Sequence, residues 1–364
     1  DESKEEPPAL LGRPSNNVKM GIVGLPNVGK SSFFNALCKM NVPAENYPFC
    51  TIDPTEAKVP VPDARFDFLC KEFKPAKEIP AVLTVVDIAG LLRGASRGEG
   101  LGNNFLSHIQ SVDGIFHMIR AFPDKDVTHV DETVDPIRDM DTIEGELIAK
   151  DLARVTNAVD SMRKNVERKL GGREKKEDTL CKVQEILQEN GDIRRAKWSP
   201  REVDVLNQYQ FLTAKPMIYL INLSEKDYLR LPKIKEYVEK KQPGAQIIPL
   251  SVNFEANVSN KSCHTSSSGS NSMSSALQLV DMGEEEAAKY CKEKNTRSIL
   301  PRIIKAGYKT LNLVHFFTVG PDEAGFICAD VYSYDDYKER KSIALSHVDA
   351  PTLMLGIQRA LKLL

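Results

Sequence analysis

The segment that most constrains this chain is Gly24-Leu-Pro-Asn-Val-Gly-Lys-Ser31. The apolar run at residues 18–23 before it predicts a buried strand, and residues 32–37 after it are a good helix start. A strand, the pattern Gly-x-x-x-x-Gly-Lys-Ser and a helix are the context in which this pattern forms a phosphate-binding loop, or P-loop. A chance match in a turn is the alternative, and the correct flanks argue against it.

Each residue type in this segment has a chemical reason to be there. Gly24 and Gly29 let the backbone curl so that successive N–H groups point at one anion. The helix N-terminus adds partial positive charge at the same place. Lys30 can reach the β- and γ-phosphates, and the Ser31 hydroxyl can bind Mg²⁺. We therefore expect a nucleoside triphosphate with Mg²⁺ as cofactor.

A second motif lies at the end of the apolar run 81–86, which predicts another buried strand. This run leads into Asp87-Ile-Ala-Gly90. Asp87 suits a water-mediated contact with Mg²⁺, and Gly90 lets a backbone N–H approach the γ-phosphate. The motif is weak alone, but at this distance after a P-loop it indicates a nucleotide switch.

Two loops are predicted beside the phosphates. Residues 42–62 predict a loop and then an edge strand, because their prolines do not suit a central one. Thr51 is the candidate for a hydroxyl that binds Mg²⁺ only when the γ-phosphate is present; an ordinary loop threonine is the alternative. The glycine-rich run 90–104 predicts the second switch loop.

Three later apolar runs, at residues 115–119, 216–221 and 246–251, predict further strands. Because these strands alternate with helical patterns, the sequence predicts a doubly wound α/β sheet with its ligand at the carboxyl ends of the strands.

A different pattern begins near residue 143. Apolar residues from Ile148 to Val166 recur at heptad spacing, and a second stripe follows at residues 180–187. We predict two long antiparallel helices that form a coiled-coil arm inserted in the nucleotide-binding domain. Two ordinary amphipathic helices packed on the core are the alternative. Ser199-Pro-Arg-Glu202 is a capping box that predicts the helix returning the chain to the sheet.

Composition narrows the class of protein. A net charge of −2 gives no global basic field, and we expect no sequence-specific DNA partner. Seven scattered cysteines without a C-x-x-C pair predict reduced thiols in a cytoplasmic protein. No apolar run approaches the ~18 residues of a membrane span. Residues 1–8 are acidic and contain proline, unlike a signal peptide.

Taken together, these motifs resemble the YchF/Obg-like ATPase family, a branch of the translation-factor-related GTPases. The resemblance covers residues 15–330. It rests on the P-loop, Asn46-Tyr-Pro-Phe-Cys-Thr-Ile-Asp-Pro54, Asp87-Ile-Ala-Gly90, Gly100-Leu-Gly-Asn103 and Asn222-Leu-Ser-Glu225. It implies a P-loop GTPase-like domain with an inserted antiparallel helical arm and a small C-terminal TGS domain of the β-grasp type. It also implies a preference for ATP over GTP and an association with ribosomes.

The resemblance also implies a set of site residues by position. The nucleotide would be bound by Asn27, Val28, Gly29, Lys30, Ser31, Ser32, Phe49, Cys50, Thr51, Ile52, Asp53, Asp87, Ile88, Ala89, Gly90, Asn222, Leu223, Glu225 and Ser251. Ser31 and Thr51 would hold Mg²⁺, and Leu223 would touch the adenine. Lys30 would be catalytic, and His129 lies where the family places a candidate catalytic histidine; a solvent-exposed loop histidine is the alternative for His129.

We predict the following organisation. Residues 1–15 are a disordered lead-in, 16–135 and 199–258 are the two parts of the nucleotide-binding domain, 136–198 are the helical arm, 259–275 are a Ser-rich linker, 276–305 are a helical connector and 306–364 are the TGS-like domain. That last domain is atypical, because Ala324 alone joins Gly320-Pro-Asp-Glu323 to Gly325-Phe-Ile327, where the family has a longer insertion.

The function that these patterns favour is a Mg²⁺-dependent nucleoside triphosphatase switch that hydrolyses ATP, with GTP used less well. Ras-like switches place a water-orienting Gln directly after Asp-x-x-Gly, whereas this chain has Leu91, so intrinsic turnover should be slow. A GTP-preferring GTPase and a nucleotide-gated scaffold with incidental hydrolysis stay open. A nucleotide kinase is disfavoured, because the sequence shows no Arg-rich lid.

Overall fold

The computed structural model describes residues 18–40, 55–88, 90, 108–124, 133–164, 173–224, 231–241, 244–263, 288–289, 291–292, 296–311, 314–319 and 323–329. The predicted lead-in, the Thr51 loop, the glycine-rich loop after Gly90 and the segment that contains His129 lie outside these residues. So do most of the predicted linker and the C-terminal tail.

Nine strands are assigned in the described residues: β1 (Lys19–Val23), β2 (Glu56–Pro60), β3 (Lys77–Ile79), β4 (Val82–Asp87), β5 (Gly114–Arg120), β6 (Met217–Asn222), β7 (Gln246–Leu250), β8 (Val314–Val319) and β9 (Glu323–Ala329). One sheet has the order β2-β4-β1-β5-β6-β7, and a second has the order β3-β9-β8. β5, β6 and β7 run parallel to one another, whereas β2 is antiparallel to β4 at the edge. The α/β sheet and the edge position of the proline-containing strand are confirmed.

The longer helices are α1 (Lys30–Cys38), α2 (Ala64–Phe73), α3 (Pro136–Lys164), α4 (Arg173–Gln188), α5 (Pro200–Tyr209), α6 (Leu231–Lys241), α7 (Val252–Cys263) and α8 (Leu300–Thr310). The predicted capping box is present at α5, where Ser199 and Glu202 bond reciprocally. Sequence reasoning missed α2, although its N-cap, Asp63, accepts a hydrogen bond from the backbone N–H of Arg65. α7 reaches Cys263, inside the predicted linker.

α3 and α4 form the predicted antiparallel pair. Arg163 near the end of α3 pairs with Glu177 near the start of α4, and Gln184 donates to Thr156 further along. The heptad residues Val155 and Val159 are buried, as predicted. Their apolar cluster also includes residues outside the pair: Ile193, Val205, Leu206 and Phe211. The arm therefore shares its core with α5 and the turns that flank it, because two helices alone cannot bury the whole stripe.

A buried carboxylate fixes α3 to the chain just before β6. Asp151 is 1% exposed and accepts hydrogen bonds from Leu212 N (3.1 Å), Thr213 N (2.8 Å) and Thr213 Oγ1 (2.7 Å). Burial raises the pKa of Asp151, and these three donors act in the opposite direction. Leu212–Ala214 form a short 3₁₀ turn. The Asp151 carboxylate accepts the hydrogen bonds of the first two backbone N–H groups of this turn, which are buried and need an acceptor.

Contacts group the described residues into two compact units. One contains residues 21–30 and the described part of 87–250. The other contains 18–20 and the described residues of 31–86 and of 251 onwards. In the second unit β3 lies parallel to β9, and the Arg65 guanidinium lies 5.2 Å from the Phe317 ring centroid. The two C-terminal strands are confirmed, while the TGS domain itself stays a prediction.

Among the helices of the described residues, none has both the length and the apolar character needed to cross a membrane.

Candidate functional site

The P-loop lies between β1 and α1, and two of its residues have left-handed backbone conformations. Asn27 and Gly29 have positive φ angles of 62° and 104°, which turn the loop so that its N–H groups can converge. A Cβ at Gly24 would lie 2.4 Å from the carbonyl oxygen of Met118, a main-chain atom of β5. Only glycine therefore fits where the loop leaves β1.

Lys30 is the first residue of α1, and its side chain is folded against the loop. The residue is 7% exposed, and Nζ donates to the carbonyl oxygen of Leu25 at 2.8 Å. Burial lowers the pKa of Lys30 to about 8, although the nearby Asp87 carboxylate acts in the opposite direction. Burial has removed part of the water that would stabilise the Lys30 ammonium. A bound phosphate therefore stabilises it strongly, because the negative charge of the anion takes the place of that water.

Asp87 and Gly90 both lie close to Lys30. Asp87 is the last residue of β4. A Cβ at Gly90 would lie 3.1 Å from the Pro26 ring and 3.2 Å from Lys30 Nζ, so the Gly90 backbone packs closely on the loop. The structure thus brings together the two motifs that the sequence separates by more than fifty residues.

Asn222 ends β6 and reaches across to the P-loop. Its side chain is 5% exposed, and Nδ2 donates to the carbonyl oxygen of Val28 at 3.0 Å. Sequence reasoning assigned Asn222 to the nucleotide base and missed this bond, which ties β6 to the loop. The next residue, Leu223, is buried, and its N–H donates to Leu250 O at 2.9 Å, just before Ser251.

The remaining predicted residues differ in what they can offer. The side chains of Val28 and Ile88 are buried in the core, so these residues can present only main-chain groups to a ligand. Ser31 and Ser32 are exposed in the first turn of α1. Eight predicted positions lie outside the described residues: Phe49, Cys50, Thr51, Ile52, Asp53, Ala89, His129 and Glu225.

The donor set fits a Mg²⁺ ion that arrives with the nucleotide. Ser31 offers a hydroxyl, and Asp87 offers a carboxylate near the loop. Within the described residues no group of three or more His, Cys, Asp or Glu could hold a metal by itself. Mg²⁺ commonly takes one or two protein oxygens together with phosphates and water, so a hydroxyl and a nearby carboxylate are suitable donors.

One residue at this edge of the sheet was not predicted. Arg120 closes β5 and is 1% exposed. Its Nε donates to Phe122 O at 3.0 Å, and its Nη2 donates to Asp124 O at 3.3 Å. The sequence contains one signal that could have identified Arg120: an arginine directly follows the apolar run of β5. Arginine is seldom fully buried, so its position at the end of a buried strand is unusual.

Several known proteins are similar to this chain. A family model described as 50S ribosome-binding GTPase matches residues 19–157. Obg-like ATPase 1 of Oryza sativa subsp. indica is 47% identical over an alignment of 360 positions, which covers 91% of this chain and 86% of that protein. Obg-like ATPase 1 of Homo sapiens is 46% identical over an alignment of 371 positions, which covers 93% of this chain and 88% of that protein.

A solved structure, the Schizosaccharomyces pombe YchF GTPase, superposes with a TM-score of 0.73 at 45% identity and covers 88% of this chain and 83% of its own. The match extends over most of both chains, so it includes the P-loop GTPase fold as well as the motifs. The chain therefore belongs to the Obg-like ATPase (YchF) family and is a nucleotide-hydrolysing P-loop enzyme.

Proposed function

We propose that this enzyme is a Mg²⁺-dependent switch that hydrolyses ATP in preference to GTP and acts with the ribosome. The base preference is inferred from the residues at the end of β6. Asn222 contacts the P-loop there, and the residue after Asn222 is Leu223. Two names support this proposal. The relatives are called Obg-like ATPase 1, which supports the use of ATP, and the matching family model is described as 50S ribosome-binding GTPase, which supports the ribosome as partner.

The base preference follows from the residues after Asn222. GTPases read guanine with Asn-Lys-x-Asp, whose Asp accepts hydrogen bonds from guanine N1–H and N2–H₂. Here the corresponding residues are Leu223 and Glu225. The extra methylene of Glu displaces the carboxylate by about 1 Å, which spoils a two-bond pair. Leu223 offers an apolar wall that accepts either purine, so discrimination against guanine should be modest.

Catalysis by this set of residues is mainly positioning and electrostatics. Lys30 and the loop N–H groups would offset charge on the phosphates. Mg²⁺ would be held by Ser31 and Thr51, with Asp87 acting through water, and when bound it would supply positive charge at the β- and γ-phosphates. Since Leu91 cannot hydrogen-bond water, another group must orient the nucleophile, and His129 is our candidate.

The base preference can be tested by restoring the guanine reader. Leu223→Lys combined with Glu225→Asp should shift the ATP-to-GTP affinity ratio towards GTP by at least roughly tenfold, since each of the two recovered hydrogen bonds is worth about 0.5–1.5 kcal/mol. Isothermal titration with both nucleotides measures the ratio, and Leu223→Met, which conserves volume, is the control. A double variant with the native ratio, or a native protein that binds GTP tenfold tighter than ATP, would contradict the base assignment.

The role of His129 predicts a kinetic signature. His129→Ala should lower kcat by about a hundredfold and leave KM nearly unchanged, because a group that orients water acts in the transition state. His108→Ala is the matched control, since His108 is exposed in the helical turn before β5. Steady-state hydrolysis of both variants decides the question: equal rates in His129→Ala and the native protein mean that the histidine is an ordinary loop residue.

The lowered pKa of Lys30 predicts that nucleotide affinity depends on pH. With a pKa of about 8, Lys30 loses its proton as the pH of the free protein rises through that value. Bound phosphate favours the ammonium, so the bound state holds more protons and affinity falls as pH rises. We expect about an eightfold loss between pH 7.5 and 9.

The control for this effect is Lys30→Arg, whose guanidinium stays charged over the same range. Titration of each protein with ATP at the two pH values measures the loss. A native affinity that is the same at both, or an equal loss in the arginine variant, would show that Lys30 is not the titrating group.

A further inference from the structure

The chain between α4 and α5 carries a local excess of positive charge. Residues 193–201, which we call the basic turn, contain no acidic residue and four basic ones: Arg194, Arg195, Lys197 and Arg201. The whole chain, by contrast, has a net charge of −2. A run of cations can be an ordinary solvated surface or a binding surface for a polyanion, and the contacts of the side chains distinguish the two.

Three of these cations are exposed, and among the described residues none of the three pairs with a carboxylate. They are Arg195, Lys197 and Arg201. The fourth, Arg194, is mostly buried and pairs with Asp192 at 2.8 Å. The charge of the three exposed cations is therefore available to a ligand.

The acidic residues beside the basic turn are largely neutralised within the protein. Glu202 accepts a hydrogen bond from Lys182 Nζ at 2.9 Å and is part of the capping box of α5. Asp192 has Arg194 as its partner. Asp204 is exposed on α5, three residues after Arg201, and reduces the positive charge there. The basic turn keeps an excess of positive charge after these acids are counted.

The shape of the basic turn is fixed by two hydrogen bonds. Trp198 Nε1 donates to Ile193 O at 2.8 Å, which closes the turn on itself, and Lys182 Nζ donates to Lys197 O at 2.8 Å, which fastens it to α4. Even a fully extended chain spans at most about 22 Å in six residues, so Arg195 and Arg201 can contact one short stretch of a partner. A preformed surface of this kind loses little entropy on binding.

The basic turn lies at the end of the sheet opposite the nucleotide site. Arg194 Nη1 donates to Lys215 O at 3.3 Å, just before β6, and Arg195 donates to the carbonyl oxygen of Lys241, at the end of α6 and before β7. Asn222, which contacts the P-loop, is at the other end of β6, six residues or about 20 Å along the strand. A ligand at the basic turn would therefore not compete with the nucleotide.

The surroundings of Trp198 indicate which kind of nucleic acid fits. Lys182 Nζ lies 4.3 Å from the centroid of the Trp198 ring, and the ring packs against the apolar cluster that the arm shares with α5. Bases of a single strand bind by stacking on exposed aromatic rings, and this ring is already covered. An RNA helix is bound mainly through its phosphates and 2′-hydroxyls, which need only cations and other donors.

A protein partner fits this surface less well. Protein interfaces usually have an apolar centre inside a polar rim. The exposed residues of the basic turn are polar or charged apart from Pro200. Charge complementarity without an apolar centre favours a nucleic acid backbone.

We infer that the basic turn binds the phosphate backbone of double-stranded RNA, with Arg195, Lys197 and Arg201 as the contacting cations. This inference rests on the proposed association with the ribosome, which is rich in RNA helices. It adds the surface of the protein that makes the contact and the chemical group that is contacted.

The first test measures binding of a labelled RNA duplex of mixed sequence, about 16 base pairs long, to the full chain by fluorescence anisotropy. Each phosphate contact contributes about 0.9 to the slope of log K against log salt. The triple variant Arg195→Gln, Lys197→Gln, Arg201→Gln should therefore lower this slope by about 2–3 and weaken binding at about 100 mM salt by at least about tenfold.

Two further variants guard against an effect on folding. Lys197→Gln with Arg201→Gln changes two side chains that form no hydrogen bond or ion pair among the described residues, and it should lower the slope by about 2. Asp204→Asn removes the opposing acid and should strengthen binding by about twofold, an effect that damage to the fold would not give.

The matched control is a triple variant of α8: Arg302→Gln, Lys305→Gln, Lys309→Gln. These three cations are also exposed on one helix, and the change in net charge is the same. RNA affinity and salt slope should stay near native in this control. Losses equal to those of the basic-turn variant would show a general charge effect and overturn the assignment.

Trp198 reports the place of binding without a substitution, because it is the single tryptophan of the chain. RNA bound over the basic turn should protect Trp198 from quenching by acrylamide. RNA that binds without changing this quenching would lie elsewhere, and the inference would be wrong. Poly-glutamate is the comparison polyanion: tighter binding of it than of the duplex, lost in the same variants, would assign the surface to an acidic protein instead.

This inference and the proposed function fail in different ways. Ribosomes that bind the native protein and the basic-turn variant equally well would overturn the role of this turn and leave the ribosome as partner. An RNA duplex that binds through the turn, beside ribosomes that neither bind nor change the rate of hydrolysis, would support the turn and contradict the ribosome as partner. A native protein that does not bind the duplex would overturn the inference outright.

Discussion

Replacing Lys30 with alanine should lower ATP affinity by at least about a hundredfold, the largest effect that we expect from a substitution that leaves the fold intact. Lys30 Nζ bonds only a carbonyl of its own loop among the contacts described above, and its pKa is lowered by burial. A triphosphate would replace that contact with charge-assisted bonds, each worth about 1.5–3 kcal/mol. The free protein loses one neutral-acceptor bond, so its melting temperature should change little.

The chain offers a matched control for this substitution. Lys215 is also buried, and its Nζ donates to the carbonyl oxygens of Gln110 (3.1 Å) and Val112, before β5 begins. Lys215→Ala should therefore lower stability and leave ATP affinity unchanged. Titration of both variants, together with a thermal melt, separates the two effects. Native ATP affinity in Lys30→Ala would remove the P-loop assignment.

Gly24→Ala should lose both stability and nucleotide binding. The added Cβ would lie 2.4 Å from Met118 O and 3.1 Å from Val28 Cγ2. The first of these is main chain in a central strand, which cannot move without breaking its ladder. We expect the free energy of unfolding to fall by roughly 2–4 kcal/mol, with ATP binding lost because the loop is displaced.

Gly145→Ala is the control for the loss of glycine itself. Gly145 is exposed in α3, and a Cβ there would meet nothing within 4 Å. In a helix this change should raise stability by about 0.5–1 kcal/mol. Chemical denaturation of the two variants should therefore give shifts of opposite sign. A Gly24→Ala protein with native stability and native ATP binding would refute the close packing of the loop on β5.

The parts of the fold that sequence could predict are those set by local chemistry. The P-loop, the strand that ends at Asp87 and the capping box at Ser199 each depend on residues close together in the chain. Apolar periodicity also identified α3, because its stripe is long enough to be distinguished from a strand.

The sequence could not predict the contacts between distant segments. These contacts depend on which elements become neighbours in the fold. Examples are the hydrogen bond from Asn222 to Val28, the burial of Arg120 at the end of β5 and the pairing of β3 with β9. Nothing in the sequence near these residues encodes their partners. α2 was missed for another reason: the loop and edge strand that the prolines predicted ended at residue 62, and the cap at Asp63 directly after them was not considered.

We propose that this enzyme hydrolyses ATP in preference to GTP, with Mg²⁺, and that the ribosome is its partner. The most direct measurement is steady-state hydrolysis of both nucleotides by one preparation, with Mg²⁺ or with excess chelator, and with or without ribosomes. Lys30→Ala serves as the blank. We predict slow Mg²⁺-dependent release of ADP, a higher kcat/KM for ATP than for GTP, and faster turnover when ribosomes are added. Turnover that survives chelation, a tenfold preference for GTP, or a rate that ribosomes leave unchanged would contradict the corresponding part of this account.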